Sequence, residues 1–162
     1  NLPTHLAENM AFAAMLHDVG KVATPTELLL KKGEYTQFEW QTMEHHTIDG
    51  ALILGNSSND ILRVGHNIAR SHHERWDGRG YPDGLEGERI PLEARILTIS
   101  DIYDALTTPR PYKSKMGQDE AYNLIVNSSG TLLDPKLVSI FQNNFNEILK
   151  LQKANQTKPL GR

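Results

Sequence analysis

The run His72-His73-Glu74-Arg75-Trp76-Asp77-Gly78-Arg79-Gly80-Tyr81-Pro82 decides how the rest of the chain is to be read. Two adjacent histidines end an amphipathic pattern and a glycine-punctuated loop follows them, which suits metal ligands beside a substrate loop. Neighbouring residues of a helix point about 100° apart, so adjacent imidazoles on one helix reach two ions side by side more readily than one. A His-His pair alone is more often structural than functional. Its meaning therefore turns on what the rest of the chain brings to the same place.

Upstream of the pair, Ile61, Val64 and Ile68 form one helical stripe, and Leu62, Ala69 and His72 a neighbouring one, behind Asn59 as N-cap. The pair thus sits at a helix end facing the core, while His66, two turns earlier, reads as structural. Downstream, Gly78, Gly80, Gly84 and Gly87 exclude regular structure between Asp77 and Arg89 and predict a fixed, closely packed loop. Pro91 opens the next helix, on which Ala94, Leu97, Asp101 and Ala105 share a face. A carboxylate on that apolar face is costly unless it is paired or bound to metal.

The same inward pattern recurs nearer the N-terminus. Leu6, Met10, Ala13 and His17 fall at steps of four, three and four, which predicts a first helix with His17 on its apolar face and Asp18 at its end. Gly20 is expected to turn the chain, and Lys21 to place a cation beside the His-Asp pair. Pro25 to Gly33 reads as connection. Thr36 and Glu39 form a capping box that starts one long helix through Trp40, Met43, His46, Gly50 and Ile53. In that register His46 points inward, Gly50 lets another helix approach it, and His45 is a bystander. Beyond Asp101, Pro109-Arg110-Pro111-Tyr112-Lys113 is a rigid basic turn and a helix spans Gln118 to Asn127. Asp134 with Pro135 opens a last helix with Leu137, Phe141, Phe145 and Ile148 as its core face, and the tail after Lys153 is expected to fray.

The 162 residues fit one domain that can bury a core without metal support. A formal charge of -3, with 17 scattered Lys and Arg residues, leaves no electrostatic footprint for a nucleic-acid polymer, so a small-molecule partner is more natural. Without cysteine there is no disulfide, thiolate nucleophile or zinc-thiolate site. Any metal must sit on His, Asp and Glu, a set suited to manganese and iron. The apolar runs are too short to span a bilayer and the first eight residues lack the features of a signal peptide, so a soluble, cytoplasmic chain without membrane contact is expected.

Together, His17, Asp18, His46, His72, His73 and Asp101 are drawn from four helices and all point inward. Burying each such group costs roughly a few kcal/mol, which metal ions offset by bonding them directly. One ion takes about six bonds and usually keeps some for water or substrate, so this donor set points to two ions. Asp18 is the natural bridge, because a carboxylate has two oxygens.

On these residues the chain resembles the HD-GYP phosphodiesterases among the HD-domain metal-dependent phosphohydrolases. His17-Asp18-Val19-Gly20-Lys21 is similar to the HD signature, His46-Thr47-Ile48-Asp49-Gly50 to the second ligand motif, and His72-His73-Glu74 through Gly80-Tyr81-Pro82 to the naming motif. Asp101-Ile102-Tyr103-Asp104-Ala105-Leu106 and Arg110-Pro111-Tyr112-Lys113 continue the correspondence in order, from about Leu2 to Val138 in all. The resemblance implies an all-α HD-domain bundle over residues 1–153 with a metal site in its core and one long glycine-rich loop, followed by a polar tail at 154–162. It implies two, or with a further ligand three, iron or manganese ions on His17, Asp18, His46, His72, His73 and Asp101, and hydrolysis of cyclic di-GMP to pGpG or GMP.

In that scheme Asp18 and Lys21 are catalytic, and Lys21, Tyr81, Arg110 and Lys113 contact the substrate. Trp76 and Tyr81 wall its pocket, and the Gly80-Tyr81-Pro82 loop is also open to a docking signalling protein. Family members carry a preceding helix that can supply a further Glu or His, which has no counterpart here, and His5 and Glu8 face away from His17. The sequence is therefore expected to be a fragment of a longer protein. Two alternatives stay open: an HD-superfamily phosphohydrolase acting on a nucleotide or another cyclic dinucleotide, and a catalytically silent module that binds metal and ligand.

Overall fold

Three helices begin where a side-chain oxygen meets the free N–H groups of the next turn. Thr36 and Glu39 form the capping box: the Thr36 N–H donates to Glu39 Oε2 at 2.7 Å and the Glu39 N–H to Thr36 Oγ1 at 3.3 Å. Asn59 Oδ1 accepts from the Ile61 and Leu62 N–H groups at 2.9 and 3.2 Å. Asp134 Oδ1 accepts from Lys136 N–H at 2.8 Å, with Pro135 in the first turn behind it.

The computed structural model describes residues 4–55, 57–108 and 116–156. Its α-helices are α1 (Thr4–Ala14), α2 (Thr26–Leu29), α3 (Gln37–Glu44), α4 (His46–Leu54), α5 (Asp60–Ser71), α6 (Leu92–Thr107), α7 (Gln118–Asn127), α8 (Pro135–Asn143) and α9 (Phe145–Gln156). Short 3-10 turns lie at Val19–Ala23 and Gly87–Arg89. Among the described residues there is no sheet, only the isolated bridges Asp77–Glu86 and Ser129–Leu133. The architecture is the expected all-α bundle, with a long glycine-rich loop between α5 and α6. No helix among these residues is long and apolar enough to cross a membrane.

Two cores meet on α6. Ala13, Val64 and Ile68, with Leu6, Met10, Ile61 and Leu97 against them, join α1, α5 and α6. Ile99, Tyr103, Ala121, Ile125, Leu133, Val138 and Phe141 join α6 to α7 and α8, with Phe145 and Ile148 of α9 packed alongside. Because α6 faces both cores, its middle, with Thr98 and Asp101, is held at the seam.

Three of the expected helices are divided or shortened. The long helix through His46 breaks at His45, and the last helix breaks at Asn144, whose side-chain amide donates back to the Ile140 carbonyl at 2.8 Å. The first helix ends at Ala14, so His17 stands in the turn that follows rather than on its apolar stripe. The Pro25 to Gly33 connection contains the single turn of α2, and α9 reaches Gln156.

Gly20 does a different job from the one expected. It sits in a 3-10 turn packed onto the start of α4, where a Cβ would overlap the His46 carbonyl oxygen and the Gly50 backbone. Gly50 completes the contact, its own Cβ position lying 3.3 Å from Gly20 N and 3.2 Å from Ala69 Cβ. Gly50 thus admits two close neighbours, the turn at Gly20 and, as expected, a second helix, α5 at Ala69. Gly20→Ala is expected to force the turn off α4 and lower stability by about 1–3 kcal/mol, as overpacking does. A urea unfolding midpoint equal to the parent's would contradict this.

Candidate metal centre

The histidines are placed by breaks in the helices. His46 is the first residue of α4, and the bend at His45 turns its ring into the core, where it is 1% exposed. His72 caps the C-terminus of α5 and His73 lies just beyond it. The Thr98 hydroxyl of α6 lies 3.0 Å from the His72 carbonyl oxygen, which ties that helix end to the seam between the two cores.

Each ring is then oriented by a backbone carbonyl. His46 Nδ1 lies 2.6 Å from the Met43 carbonyl oxygen, His72 Nδ1 lies 3.0 Å from those of Ile68 and Ala69, and His17 Nδ1 lies 2.8 Å from that of Ala14. A carbonyl only accepts, so these Nδ1 atoms carry protons, and in the neutral rings of His46 and His72 the Nε2 atoms keep lone pairs. Burial favours that neutral form. It lowers the His46 imidazole, pushes His72 down to about 4 and pushes His73 down to about 3, with neighbouring imidazoles adding to the shift at His72 and His73.

His46 Nε2 and His72 Nε2 face each other at 3.4 Å, and one ring nitrogen from each of His46, His72 and His73 falls within 4.8 Å of the others. Asp18 Oδ1 is buried without a hydrogen bond, 3.5 Å from His46 Nε2 and 3.8 Å from His72 Nε2. Metal-ligand bonds of about 2.1 Å put neighbouring donors roughly 3.0 to 3.4 Å apart. Converging lone pairs and an orphaned carboxylate oxygen at nearly that spacing fit one divalent ion. His72 and His73 both reach this cluster. His73 has left the helix, so the 100° step between helical neighbours no longer applies, and the two rings lie 4.1 Å apart.

The other Asp18 oxygen looks elsewhere. Oδ2 lies 3.3 Å from His17 Nε2 and accepts from Lys21 Nζ at 2.6 Å. Burial raises the Asp18 carboxyl, but the hydrogen bonds from His17 and Lys21 outweigh it and hold the group well below the usual carboxylate range. Asp18 in turn raises the His17 imidazole through their hydrogen bond, against the effect of burial. Asp101 is half-buried, and it shares a cleft with His72 and His73.

That cleft, of about 370 Å³, is bounded by α3, α6 and the glycine-rich loop. Tyr81 stacks on His73 with ring centroids 4.8 Å apart, and burial, then the charges of Glu44 and Asp18, raises its phenol. Glu74 builds the loop: its buried carboxylate accepts from Asp83 N–H at 2.7 Å and Leu85 N–H at 3.0 Å. Gly80 lets the loop fold back, since a Cβ there would overlap the backbone of Glu74 and Arg75. Asp77 holds both Arg75 and Arg79, at 2.9 and 2.8 Å, on the cleft wall. Trp76 belongs to a different surface. It packs under Arg95, whose guanidinium carbon is 5.9 Å from the ring, so Tyr81 walls the cleft and Trp76 does not.

The HD-domain family model matches residues 1–137. This chain is an HD domain. Its relatives place it in the HD-GYP-like branch. The cyclic di-GMP phosphodiesterase response regulator of Xanthomonas campestris pv. campestris is 48% identical over 126 residues, covering 78% of the HD domain and 33% of that protein. The 3'3'-cGAMP-specific phosphodiesterase 2 of Vibrio cholerae is 37% identical over 148 residues, covering 91% and 28%. A crystal structure of a cyclic GMP-AMP specific phosphodiesterase of V. cholerae shares the fold, with a TM-score of 0.65 at 20% identity over 90% of this HD domain and 40% of that chain. The HD domain thus spans about a third of the length of these relatives.

The structure therefore gathers His17, Asp18, His46, His72 and His73, with Asp101 and Tyr81 lining the adjoining cleft. Lys21 is paired with Asp18, while Arg110 and Lys113 lie outside the described residues. His66 is structural as read, its Nδ1 lying 2.9 Å from the Ala51 carbonyl oxygen. Sequence reasoning passed over Trp40, Glu44, Arg75 and Arg79. The last two carried a signal, as cations flanking an aspartate in a glycine-rich loop.

Two outcomes are expected. His72→Ala should lower the metal content of the purified HD domain, while His45→Ala, at the exposed helix break, should leave it at the parent level by elemental analysis. Glu74→Gln should retain metal yet lose about 1–3 kcal/mol of stability, because one charged acceptor serves two loop N–H groups. Denaturant titration reads that loss.

Proposed function

We propose that this HD domain hydrolyses a phosphodiester bond of a bacterial cyclic dinucleotide, with cyclic di-GMP as substrate and pGpG or GMP as product. The observation that carries the reading is the orphaned Asp18 Oδ1, aimed at the lone pairs of His46 and His72 beside a cleft with cationic walls. The two most alike relatives reported above act, by name, on cyclic di-GMP and on 3'3'-cGAMP. They support the reaction class together. Cyclic di-GMP is the finer reading because the more similar relative carries it, and 3'3'-cGAMP is the second.

In this reading His17, Asp18, His46, His72, His73 and Asp101 hold two divalent ions, iron or manganese. Asp18 would contribute to holding both, since Oδ1 faces His46 and His72 while Oδ2 faces His17 and Lys21. Such ions supply Lewis acidity, lowering the pKa of a water from about 16 towards 7 and polarising phosphoryl oxygens. The chain supplies the rest. The carbonyl bonds to Nδ1 of His46 and His72 hold those rings in the tautomer that leaves Nε2 free, and the bond to His17 Nδ1 orients its ring towards Asp18. Lys21, 2.6 Å from Asp18, stands beside the centre with a cation for the charge that grows on the phosphoryl oxygens. Arg75 and Arg79 line the approach, and Tyr81 with His73 forms an aromatic wall.

The test uses the full-length protein, loaded anaerobically with ferrous iron or with manganese. Linear pGpG or GMP from cyclic di-GMP, with little product from mononucleotides or generic diesters, is the expected outcome. Tight binding without product would move the protein to the silent-module alternative, and preference for nucleoside phosphates to the nucleotide phosphohydrolases. Arg110→Ala and Lys113→Ala, at the positions the family resemblance assigns to the phosphates, should keep metal and lose on the order of 10²-fold in kcat/KM.

A further inference from the structure

One end of the cleft has no role in the chemistry above. Trp40 and Glu44 are four residues apart on α3, so they project from one face, and both line the cleft that also holds His72, His73, Tyr81 and Asp101. Trp40 is 48% exposed despite its size, with Tyr35 beside its ring at 6.0 Å between centroids and the rest of the indole lining the cleft. Glu44 is half-buried, and among the described residues its carboxylate makes no hydrogen bond or ion pair. Of the other carboxylates on or beside the cleft, Glu74 is committed to loop N–H groups, Asp77 to Arg75 and Arg79, and Asp18 to His17 and Lys21, while Asp101 belongs to the metal-holding set of the reading above. An open aromatic face beside an uncommitted acceptor is what a purine base with donors on its edge requires.

We infer that Trp40 and Glu44 form a guanine-reading subsite, so the HD domain selects cyclic dinucleotides that contain at least one guanine. The inference rests on the phosphodiesterase reading and names its specificity. A carboxylate only accepts hydrogen bonds. Guanine presents N1–H and the 2-amino group side by side on its Watson-Crick edge, two donors for the two oxygens of Glu44. Adenine presents a bare N1 at the same place, and its lone pair meets the carboxylate's negative charge. Trp40 supplies stacking, which every base accepts and which therefore adds affinity without selectivity. A cleft of about 370 Å³ is at the small end of ligand sites, which run from about 300 to 1,000 Å³, and suits one nucleotide of the pair lying between α3 and the metal centre. Such a subsite takes cyclic di-GMP and 3'3'-cGAMP alike, which is the mixture of substrates named for the relatives, and it rejects cyclic di-AMP.

The experiment compares the manganese-loaded full-length parent with Glu44→Gln, Trp40→Ala and Trp40→Phe on cyclic di-GMP, 3'3'-cGAMP and cyclic di-AMP. It measures kcat/KM by product release and affinity by calorimetry. The parent should prefer the guanine-containing ligands over cyclic di-AMP by on the order of 10²-fold or more. Glu44→Gln should narrow the ratio between cyclic di-GMP and cyclic di-AMP by about 10- to 100-fold, the worth of a charged acceptor, at unchanged metal content and melting temperature. Trp40→Ala should weaken all three by a common factor, with Trp40→Phe restoring most of it. If the parent binds with a guanine preference that Glu44→Gln removes, yet releases no product, the subsite stands and the hydrolytic reading fails. If the parent hydrolyses cyclic di-GMP and the Glu44→Gln ratio is unchanged in both measurements, the hydrolytic reading stands and the guanine subsite is overturned.

Discussion

Two imidazole nitrogens 3.4 Å apart, each with its proton on the far side of the ring, repel one another unless something positive lies between them. That constraint organises the interior of this HD domain. His46 and His72 could each escape by turning, but their Nδ1–H groups are anchored on the carbonyls of Met43, Ile68 and Ala69, and the backbone at those points is packed on both sides. Asp18 adds a buried oxygen with no donor of its own. An uncompensated set of this kind costs several kcal/mol by order of magnitude, and the bonds to a divalent ion are the natural offset. The neutral imidazoles, with His72 pushed down to about 4 and His73 to about 3, require no deprotonation at neutral pH before they bind.

Close backbone packing keeps the converging groups in register. The Gly20–Gly50 contact brings the His17-Asp18 turn onto the first turn of α4, which is the turn that carries His46. On the opposite side, α6 belongs to both cores, and Thr98 at its middle holds the carbonyl of His72. Three segments distant in sequence therefore meet at fixed separations. Such packing leaves the donors little freedom to rearrange.

The helices and the identity of the donors were legible because both are local. Stripes such as Ile61, Val64 and Ile68 depend only on the helical period, and the caps at Thr36, Asn59 and Asp134 only on a turn of backbone. What was not legible is where a stripe stops being a helix. No glycine or proline marks the end of α1 at Ala14 or the breaks at His45 and Asn144, so periodicity ran through them. Those breaks are tertiary in origin: the bend at His45 buries the His46 ring, and the unwinding after Ala14 carries Asp18 to it. Helical spacing likewise says nothing of how His72 and His73 share the site, since His73 lies outside the helix. Glu44 and Trp40 gave no signal, because a surface pair at i and i+4 is ordinary until the loop from another part of the chain closes over it.

The three residues His72, His73 and Glu74 then form one device. With α5 ending at Ser71, each successive side chain takes a new direction: His72 into the core, His73 under Tyr81, and Glu74 into the loop, where its two oxygens gather the N–H groups of Asp83 and Leu85. The loop cannot shift without disturbing Glu74, and Glu74 is bonded directly to His73 along the backbone, whose carbonyl also accepts from Tyr81 N–H at 3.2 Å. The wall of the cleft and the ligands of the centre are thus set by the same stretch of main chain, His72 to Glu74. Any movement of His73 would therefore also displace Tyr81, whose ring stacks on it and whose N–H bonds its carbonyl.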